Sequence, residues 1–186
     1  MVDPSASGKL ERLCNNYPIK VERIAARRRE DAKSSSTEPV LLERSITGEI
    51  ILRDQVPELD GLRTAILLWE WLEESSQTLS AVFEKLYQQT GKFHISMKEP
   101  HWSSEKIRKI ADFCRKQGFE KIADVPVSQT RELSGFKFSL ENGDSVFIYI
   151  NESQNELKIF AESERPDLAD DLIIRIMEEL FLIPAH

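Results

Sequence analysis

A polar loop at residues 151–155 separates two stretches in which apolar and polar residues alternate. Such alternation predicts two β-strands, so the loop is expected to turn a hairpin at the end of a sheet. Asn151, Ser153 and Gln154 offer neutral hydrogen-bond donors, and Tyr149 lies two residues before the loop. Amide and hydroxyl groups of this kind can hydrogen-bond a polar ligand, or they can simply form a polar hairpin loop.

Three alternating segments position this loop. Asn142-Gly143 joins the first two and predicts a type I′ turn, in which both central residues have positive φ. The inward residues expected of the three strands are Phe136, Phe138 and Leu140, then Val146, Ile148 and Ile150, then Leu157, Ile159 and Ala161.

Four helices are expected around these strands. The predicted N-caps of the first three helices are Asp60, Thr78, and Ser103 or Ser104, and Pro166 begins the fourth. Gly91 ends the second helix and Gly118 ends the third. The first helix carries a wide apolar stripe and is expected to be buried on more than one side. The inward residues expected of the helices are Leu62, Ala65, Ile66, Trp69 and Leu72; Leu79, Val82, Phe83, Leu86 and Tyr87; Ile107, Ile110, Ala111 and Cys114; and Leu168, Leu172, Ile173, Ile176, Leu180 and Ile183. Residues 10–16 predict a further short helix, and Ile19 could begin a strand. The fold class expected from this order is α+β, an antiparallel sheet with helices on one face, preceded by a partial α/β helical segment.

Composition limits the function. The chain has 186 residues, 40% of them hydrophobic and 31% charged, with a formal net charge of −7. An acidic balance argues against nucleic-acid binding, which needs clustered Lys and Arg. No apolar run approaches the roughly 20 residues that span a bilayer, and no signal peptide is indicated. Two cysteines, Cys14 and Cys114, fit neither a disulfide framework nor a metal site, so a cytoplasmic location is expected.

The segment L-K-I-F-A-E-S at residues 157–163 closely resembles the phosphate-binding segment in the last domain of the α-D-phosphohexomutases, the phosphoglucomutase and phosphomannomutase family. That segment reads roughly F-I-R-P-S-G-T-E-P-K-L-K-I-F-A-E-S and registers without a gap from Phe147 to Ser163. D-G-L-R-T-A-I-L-L-W-E-W-L at residues 60–72 resembles the end of the family's third domain. Composition predicts a poorly defined segment at 1–44 with a charged, Ser-rich linker at about 27–39. The resemblance implies a third-domain remnant with a helical hairpin at 45–92 and a C-terminal-domain-like α+β domain at 93–186.

The loop itself departs from the family. Tyr149 replaces the arginine, Glu152 replaces a glycine, and Asn151 and Ser153 replace a serine and a threonine, with Gln154 following. These changes remove a positive charge and add a negative one, so the resemblance implies a degenerate phosphate loop. Upstream, Arg29 alone retains a positive charge at the family's T-P-V-G-F-K, and it would be the residual anion contact.

The resemblance also shows what the 186 residues lack. Phosphoryl transfer in this family uses a phosphorylated serine and a Mg²⁺ held by a D-G-D-G-D-R-type loop, and no segment matches either. We therefore expect a non-catalytic relative of these enzymes of carbohydrate metabolism, a pseudoenzyme that needs no cofactor or metal and acts as an interaction or regulatory module. Its first half would bind a protein partner or a second copy, with no nucleic acid or membrane, and a phosphosugar is a less favoured ligand. The alternative is the C-terminal half of a split phosphohexomutase, which would bind the phosphate of a sugar phosphate and be completed by another chain.

Overall fold

The computed structural model describes residues 1–24, 41–44, 46, 50–52 and 61–184. They belong to two compact units, Met1–Lys92 and Phe93–His186. The proposed linker at 27–39, Arg29 and the predicted helix cap Asp60 lie outside the described residues.

The first unit contains a short helix, a two-stranded ladder and two longer helices: α1 (Lys9–Cys14), β1 (Leu42–Arg44), β2 (Ile50–Leu52), α2 (Gly61–Ser75) and α3 (Leu79–Thr90). β1 and β2 pair antiparallel, with Leu42 opposite Leu52. α3 lies against α1, and α2 lies near β2.

Two arginines hold the N-terminal segment of the first unit in place. The Arg23 guanidinium donates to both Glu11 carboxylate oxygens at 2.7 and 2.9 Å and to the Ala6 carbonyl at 2.8 Å. Arg44 donates to the buried Asp3 carboxylate at 2.7 Å. Hydrogen-bonded pairs of a guanidinium and a carboxylate fix geometry as well as balance charge. The strand considered at Ile19 does not form, and residues 19–22 have no regular secondary structure.

The second unit contains β3 (His94–Lys98), α4 (Ser104–Lys116), β4 (Lys121–Ile122), β5 (Val125–Glu132), β6 (Gly135–Leu140), β7 (Ser145–Asn151), β8 (Glu156–Ser163) and α5 (Pro166–Leu182). Its six strands form one antiparallel sheet in the order β3-β8-β7-β6-β5-β4. Consecutive strands from β4 to β8 are therefore neighbours, and β3 closes the other edge by pairing with β8. The expected α+β class with an antiparallel sheet is confirmed.

One face of this sheet forms the core with both helices. The cluster joins alternate residues of β6, β7 and β8 to the inward sides of α4 and α5: Phe136, Phe138, Leu140, Val146, Ile148, Leu157, Ile159 and Ala161 from the strands, and Ile107, Ile110, Cys114, Leu172, Ile173, Ile176 and Leu180 from the helices. The period-two and period-3.6 patterns of the sequence thus identified the core of the second unit.

The turn between β6 and β7 differs from the predicted type I′ geometry. Gly143 has φ 91°, but Asn142 is not among the positive-φ residues. Instead the Asn142 side chain accepts a hydrogen bond from the Asp144 backbone N–H at 3.1 Å, and the Gly143 N–H donates to the Leu140 carbonyl at 3.1 Å. The hairpin therefore turns over one more residue than a two-residue loop, with only the glycine in the left-handed region.

The prediction for the first long helix is wrong. None of the fifteen residues of α2, all of which the structure describes, is buried. Leu79 and Phe83 of α3 and Leu168 of α5, which were expected to face inward, are also exposed. The apolar stripe exists, but the described residues supply no large surface against α2.

Among the described residues, no helix combines the length and the apolar character needed to cross a membrane.

Candidate functional site

Strand pairing fixes the position of the polar loop. Tyr149 lies opposite Lys158, and Asn151, the last residue of β7, lies opposite Glu156, the first residue of β8. Residues 152–155 therefore form the tip of the hairpin. Asn155 has φ 54°, a left-handed conformation that asparagine accepts more readily than most residues. The hairpin was predicted from the alternation, and the loop lies where it was expected.

Asn151 is the centre of a hydrogen-bond network within the loop. Its amide nitrogen donates to the Gln154 side-chain oxygen at 2.9 Å and to the Tyr149 hydroxyl at 3.4 Å. Its amide oxygen accepts from the Ser153 hydroxyl at 2.7 Å and from the Gln154 backbone N–H at 3.3 Å. All four predicted site residues are thus brought together. Their polar groups bond one another, so an anion would compete with bonds that already exist.

Tyr149 is 7% exposed, although it stands in a strand next to a polar loop. Its neighbour on β6 is Gly135, which has φ 143° and approaches β7 closely. A Cβ at Gly135 would lie 2.2 Å from the Ile148 carbonyl oxygen and 2.9 Å from the Tyr149 Cα. Only glycine fits this position. Tyr149 therefore sits in a closely packed strand pair and contributes a phenol where the resembling family carries a guanidinium.

Lys158 is a cation close to the loop, opposite Tyr149 on β8, and sequence reasoning did not select it. Its ammonium pairs with the Glu156 carboxylate at 2.6 Å and with Glu99 at 3.8 Å. The hydrogen bond to Glu156, followed by the charges of Glu156 and Glu99, raises the pKa of Lys158. The lysine stays protonated, but its charge is balanced within the protein. The alternation of Glu156 and Lys158 on one strand face was visible in the sequence, whereas the contribution of Glu99 needed the fold.

A cavity of about 390 Å³ lies between this loop and the segment that joins β3 to α4. The side chain of Asn155 donates to the Trp102 carbonyl at 3.4 Å and links its two sides. The lining is polar and carries two carboxylates: Glu99, Pro100, His101, Trp102, Gln154, Asn155, Glu156 and Leu157. A cavity with this lining repels a phosphate dianion, because Lys158 is already paired.

A second lysine in the unit, Lys106, has a structural role. It is 8% exposed and donates to the carbonyls of Phe181, at 2.9 Å, and Ile183. Burial, and then the charge of Lys109, lowers the pKa of Lys106. Lys106 thereby satisfies carbonyl groups at the C-terminus of α5, where a cation also meets the negative end of the helix dipole.

The described part of the chain contains no group of three or more His, Cys, Asp and Glu residues arranged to hold a metal ion.

Comparison with known proteins places the fold. No protein-family model and no curated protein sequence matches the chain. Among solved structures, one described as a phosphomannomutase from Thermus thermophilus matches with a TM-score of 0.69 and 17% identity. The open form of pp63/parafusin, a phosphoglucomutase from Paramecium, matches with a TM-score of 0.58 and 15% identity.

These two matches cover 97% and 96% of this chain but only 36% of each of the other chains. The likeness therefore extends into the described part of the first 44 residues, where the sequence resemblance was faint. At this level of identity the comparison speaks for the fold, and that fold is the one the sequence resemblance predicted. The chain has the fold of a part of the phosphoglucomutase and phosphomannomutase structures and spans about a third of their length.

Proposed function

We propose that this chain is a phosphohexomutase-like protein that converts no sugar phosphate by itself and acts by binding another protein surface. The observation that carries the proposal is α2, a fifteen-residue helix that buries none of its residues and exposes six large apolar side chains: Leu62, Ile66, Leu67, Leu68, Trp69 and Trp71. Contiguous exposed apolar surface of this kind is typical of interaction sites.

The state of the polar loop supports the lack of turnover. Asn151 bonds the other loop residues, Tyr149 replaces the arginine of the resembling family, and Lys158 is neutralised by two carboxylates. Neutral donors that must break existing bonds gain little from a phosphate in water. The same features disfavour the split-enzyme alternative, because the loop would have to hold the substrate phosphate in that arrangement as well.

The proposal is tested by assay and by binding. The purified chain, with and without Mg²⁺, is expected to give no interconversion of glucose 1-phosphate and glucose 6-phosphate or of the mannose phosphates. The same sugar phosphates are expected to leave its melting temperature unchanged, because only a ligand that binds the native state raises it. Turnover by the chain alone would refute the proposal, and a melting temperature that rises with phosphosugar concentration would contradict the closed loop.

A gain-of-function variant sharpens the test of the loop. Tyr149→Arg combined with Glu152→Gly returns a guanidinium and a flexible residue to the positions where the resembling family has them. If charge and loop flexibility are what the hairpin lacks, this double variant binds glucose 1-phosphate in calorimetry while the unmodified chain does not. Glu152→Gly alone is the matched control.

The proposal further places the protein in the cytoplasm, which is compatible with two thiols, Cys14 and Cys114, that form no disulfide.

A further inference from the structure

The most exposed face of α2 has the spacing of a helix-packing seam. Leu62, Ile66 and Trp69 follow one another at intervals of four and three residues, and they are 74%, 49% and 67% exposed. Residues at this spacing form one stripe that packs against a second helix. Glu73 continues the stripe at the next interval of four. The seam therefore has an apolar middle and start and an acidic end.

The charges of α2 are divided between its two ends. Arg63 lies in the first turn, and Glu70, Glu73 and Glu74 lie in the second half. The last turn has no basic residue, so acidic side chains stand at the negative end of the helix dipole. A cation supplied by a partner at this end would stabilise the helix, and an anion would destabilise it.

Only one pairing of two such helices matches these charges. Arg63, Glu70 and Glu74 share one flank of the seam, because they are separated by seven and four residues. In an antiparallel pair with its two-fold axis between residues 67 and 68, Arg63 of each copy lies level with a point between Glu70 and Glu74 of the other copy. A parallel pair would instead place the charged flanks of the two copies on opposite sides of the seam, so Arg63 of one copy would not face the acids of the other.

We propose that α2 is a self-association surface, and that it packs antiparallel against α2 of a second copy of this chain. In this arrangement Ile66 lies opposite Trp69 of the second copy, and the contact is isologous, as in most homodimers. The inference rests on the proposed interaction role and names the partner. A fifteen-residue helix is about 22 Å long, so one helix pair is smaller than a standard interface of roughly 1,600 Å². We therefore expect dissociation in the micromolar range.

Sedimentation velocity of the full chain tests the dimer. The chain is expected to pass from monomer to dimer between about 1 and about 100 μM, the range suited to a small interface. Ile66→Lys, which places an ammonium in the seam next to Glu70, is expected to weaken the dimer by at least about tenfold without lowering helicity. Leu68→Lys, on the opposite side of the same helix and similarly exposed, is the matched control and is expected to leave the dimer intact.

Disulfide trapping tests the orientation, in a background without Cys14. In the antiparallel pair, position 62 of one copy lies opposite position 73 of the other, so a mixture of Leu62→Cys and Glu73→Cys chains is expected to form a mixed disulfide. In a pair of two Leu62→Cys chains, the two substituted positions lie about 16 Å apart along the helix axis, so no disulfide is expected between them. A rapid disulfide between two Leu62→Cys chains would overturn the antiparallel pairing.

A chain that stays monomeric at all concentrations overturns the self-association while leaving the proposed lack of turnover untouched. Turnover by the chain would refute the proposed function and leave the dimer measurement standing. The two failures are therefore distinguishable.

Discussion

Helices α2 and α4 are close in length, with 15 and 13 residues, and the same periodic pattern predicted that both would be buried. Of the two, only α4 has buried residues in the structure. α4 buries five residues, of which Ile107, Ile110 and Cys114 belong to the core cluster that α4 shares with the six-stranded sheet; the other two are Lys106 and Ala111. α2 lies near a two-stranded ladder and buries none. An apolar stripe shows what a helix is able to bury, whereas burial itself depends on a partner surface of sufficient size.

The energetic basis of the two helices therefore differs. A helix of this length is marginal in water by itself, and most helical stability in proteins comes from packing an apolar face. α4 gains this stability within its own unit. α2 retains an apolar surface whose burial against another surface would stabilise it by about 25 cal/mol per Å².

The largest expected effect compares the same substitution in the two helices. Ile110→Ala opens a cavity under the sheet, since Ile110 is 0% exposed, and should cost about 2–5 kcal/mol of unfolding free energy. Ile66→Ala in α2 should cost less than about 1 kcal/mol in dilute protein, because the side chain is already exposed. Urea unfolding measures both, with Trp102 fluorescence reporting the second unit and Trp69 and Trp71 reporting the first, each in a background where the other tryptophans are phenylalanine. Equal costs would contradict the comparison.

The next effect compares two glycines, one in each unit. Gly135→Ala in β6 forces a Cβ against the Ile148 carbonyl and keeps φ at 143°, so we expect a loss of about 2–3 kcal/mol. Gly8→Ala, just before α1, has no atom within 4 Å of the new Cβ and should change stability by less than about 0.5 kcal/mol. The same urea unfolding provides the measurement. If Gly135→Ala left the free energy of unfolding unchanged, β6 and β7 would be able to move apart without cost.

A smaller effect follows from the thiol that α4 buries. Burial raises the pKa of Cys114 from its ordinary value of 9.0 to about 12. The folded state therefore holds the proton that the unfolded state releases, and this stabilisation is complete below pH 9 and is lost as the pH rises from about 9 to about 12. At pH 10 the loss should be about 1.4 kcal/mol relative to pH 8.

Urea unfolding of the second unit at pH 8 and pH 10 measures this loss. Cys114→Ala is expected to lower stability at both pH values through the lost packing, and to reduce the difference between them. Cys14→Ala, in the other unit, is the matched control and is expected to leave that difference unchanged. An identical pH difference in unmodified protein and in Cys114→Ala would show that the thiol is not protected by burial.

The meander of β6, β7 and β8 was predictable because its signals are local. The inward residues of these three strands recur with a period of two, and their order follows from short connections, whereas β5 has no such alternation. The type I′ turn was wrong for an equally local reason. The side chain of Asn142 bonds the backbone at Asp144 and favours a longer turn, and this competes with the Asn-Gly signal.

The position of the polar loop was predictable from the sequence, but the ion pairing of the charged group beside it was not. The register with the phosphohexomutase segment placed Tyr149 and the loop residues, and the structure brings them together. The neutralisation of Lys158 by Glu99 joins residues 59 positions apart, and no local pattern in the sequence indicates such a contact. The exposure of α2 was missed for the same reason, since it depends on which surfaces lie elsewhere in the fold.

The smallest expected effect is the loss of helix stability when an N-cap is removed. It tests whether the two units differ in local helix formation as well as in packing. Thr78 caps α3 by accepting the Ala81 N–H at 3.2 Å, and Ser103 caps α4 by accepting the Lys106 N–H at 3.3 Å. Because the two caps have the same chemistry, Thr78→Ala and Ser103→Ala should each cost about 1 kcal/mol or less. Hydrogen exchange at the first turn of each helix measures the cost, with Thr78→Ser as the control that keeps a hydroxyl acceptor.

A similar cost at the two caps would place the difference between the halves in tertiary packing, since both helices would begin equally well. A much smaller cost for Thr78→Ala would mean that the first turn of α3 frays in the monomer and that helix formation in the first unit is itself weak. Repeating the exchange above the dimer dissociation constant then separates the two explanations. If α2 is the self-association surface, protection should rise along α2 on dimerisation while the first turn of α4 stays unchanged.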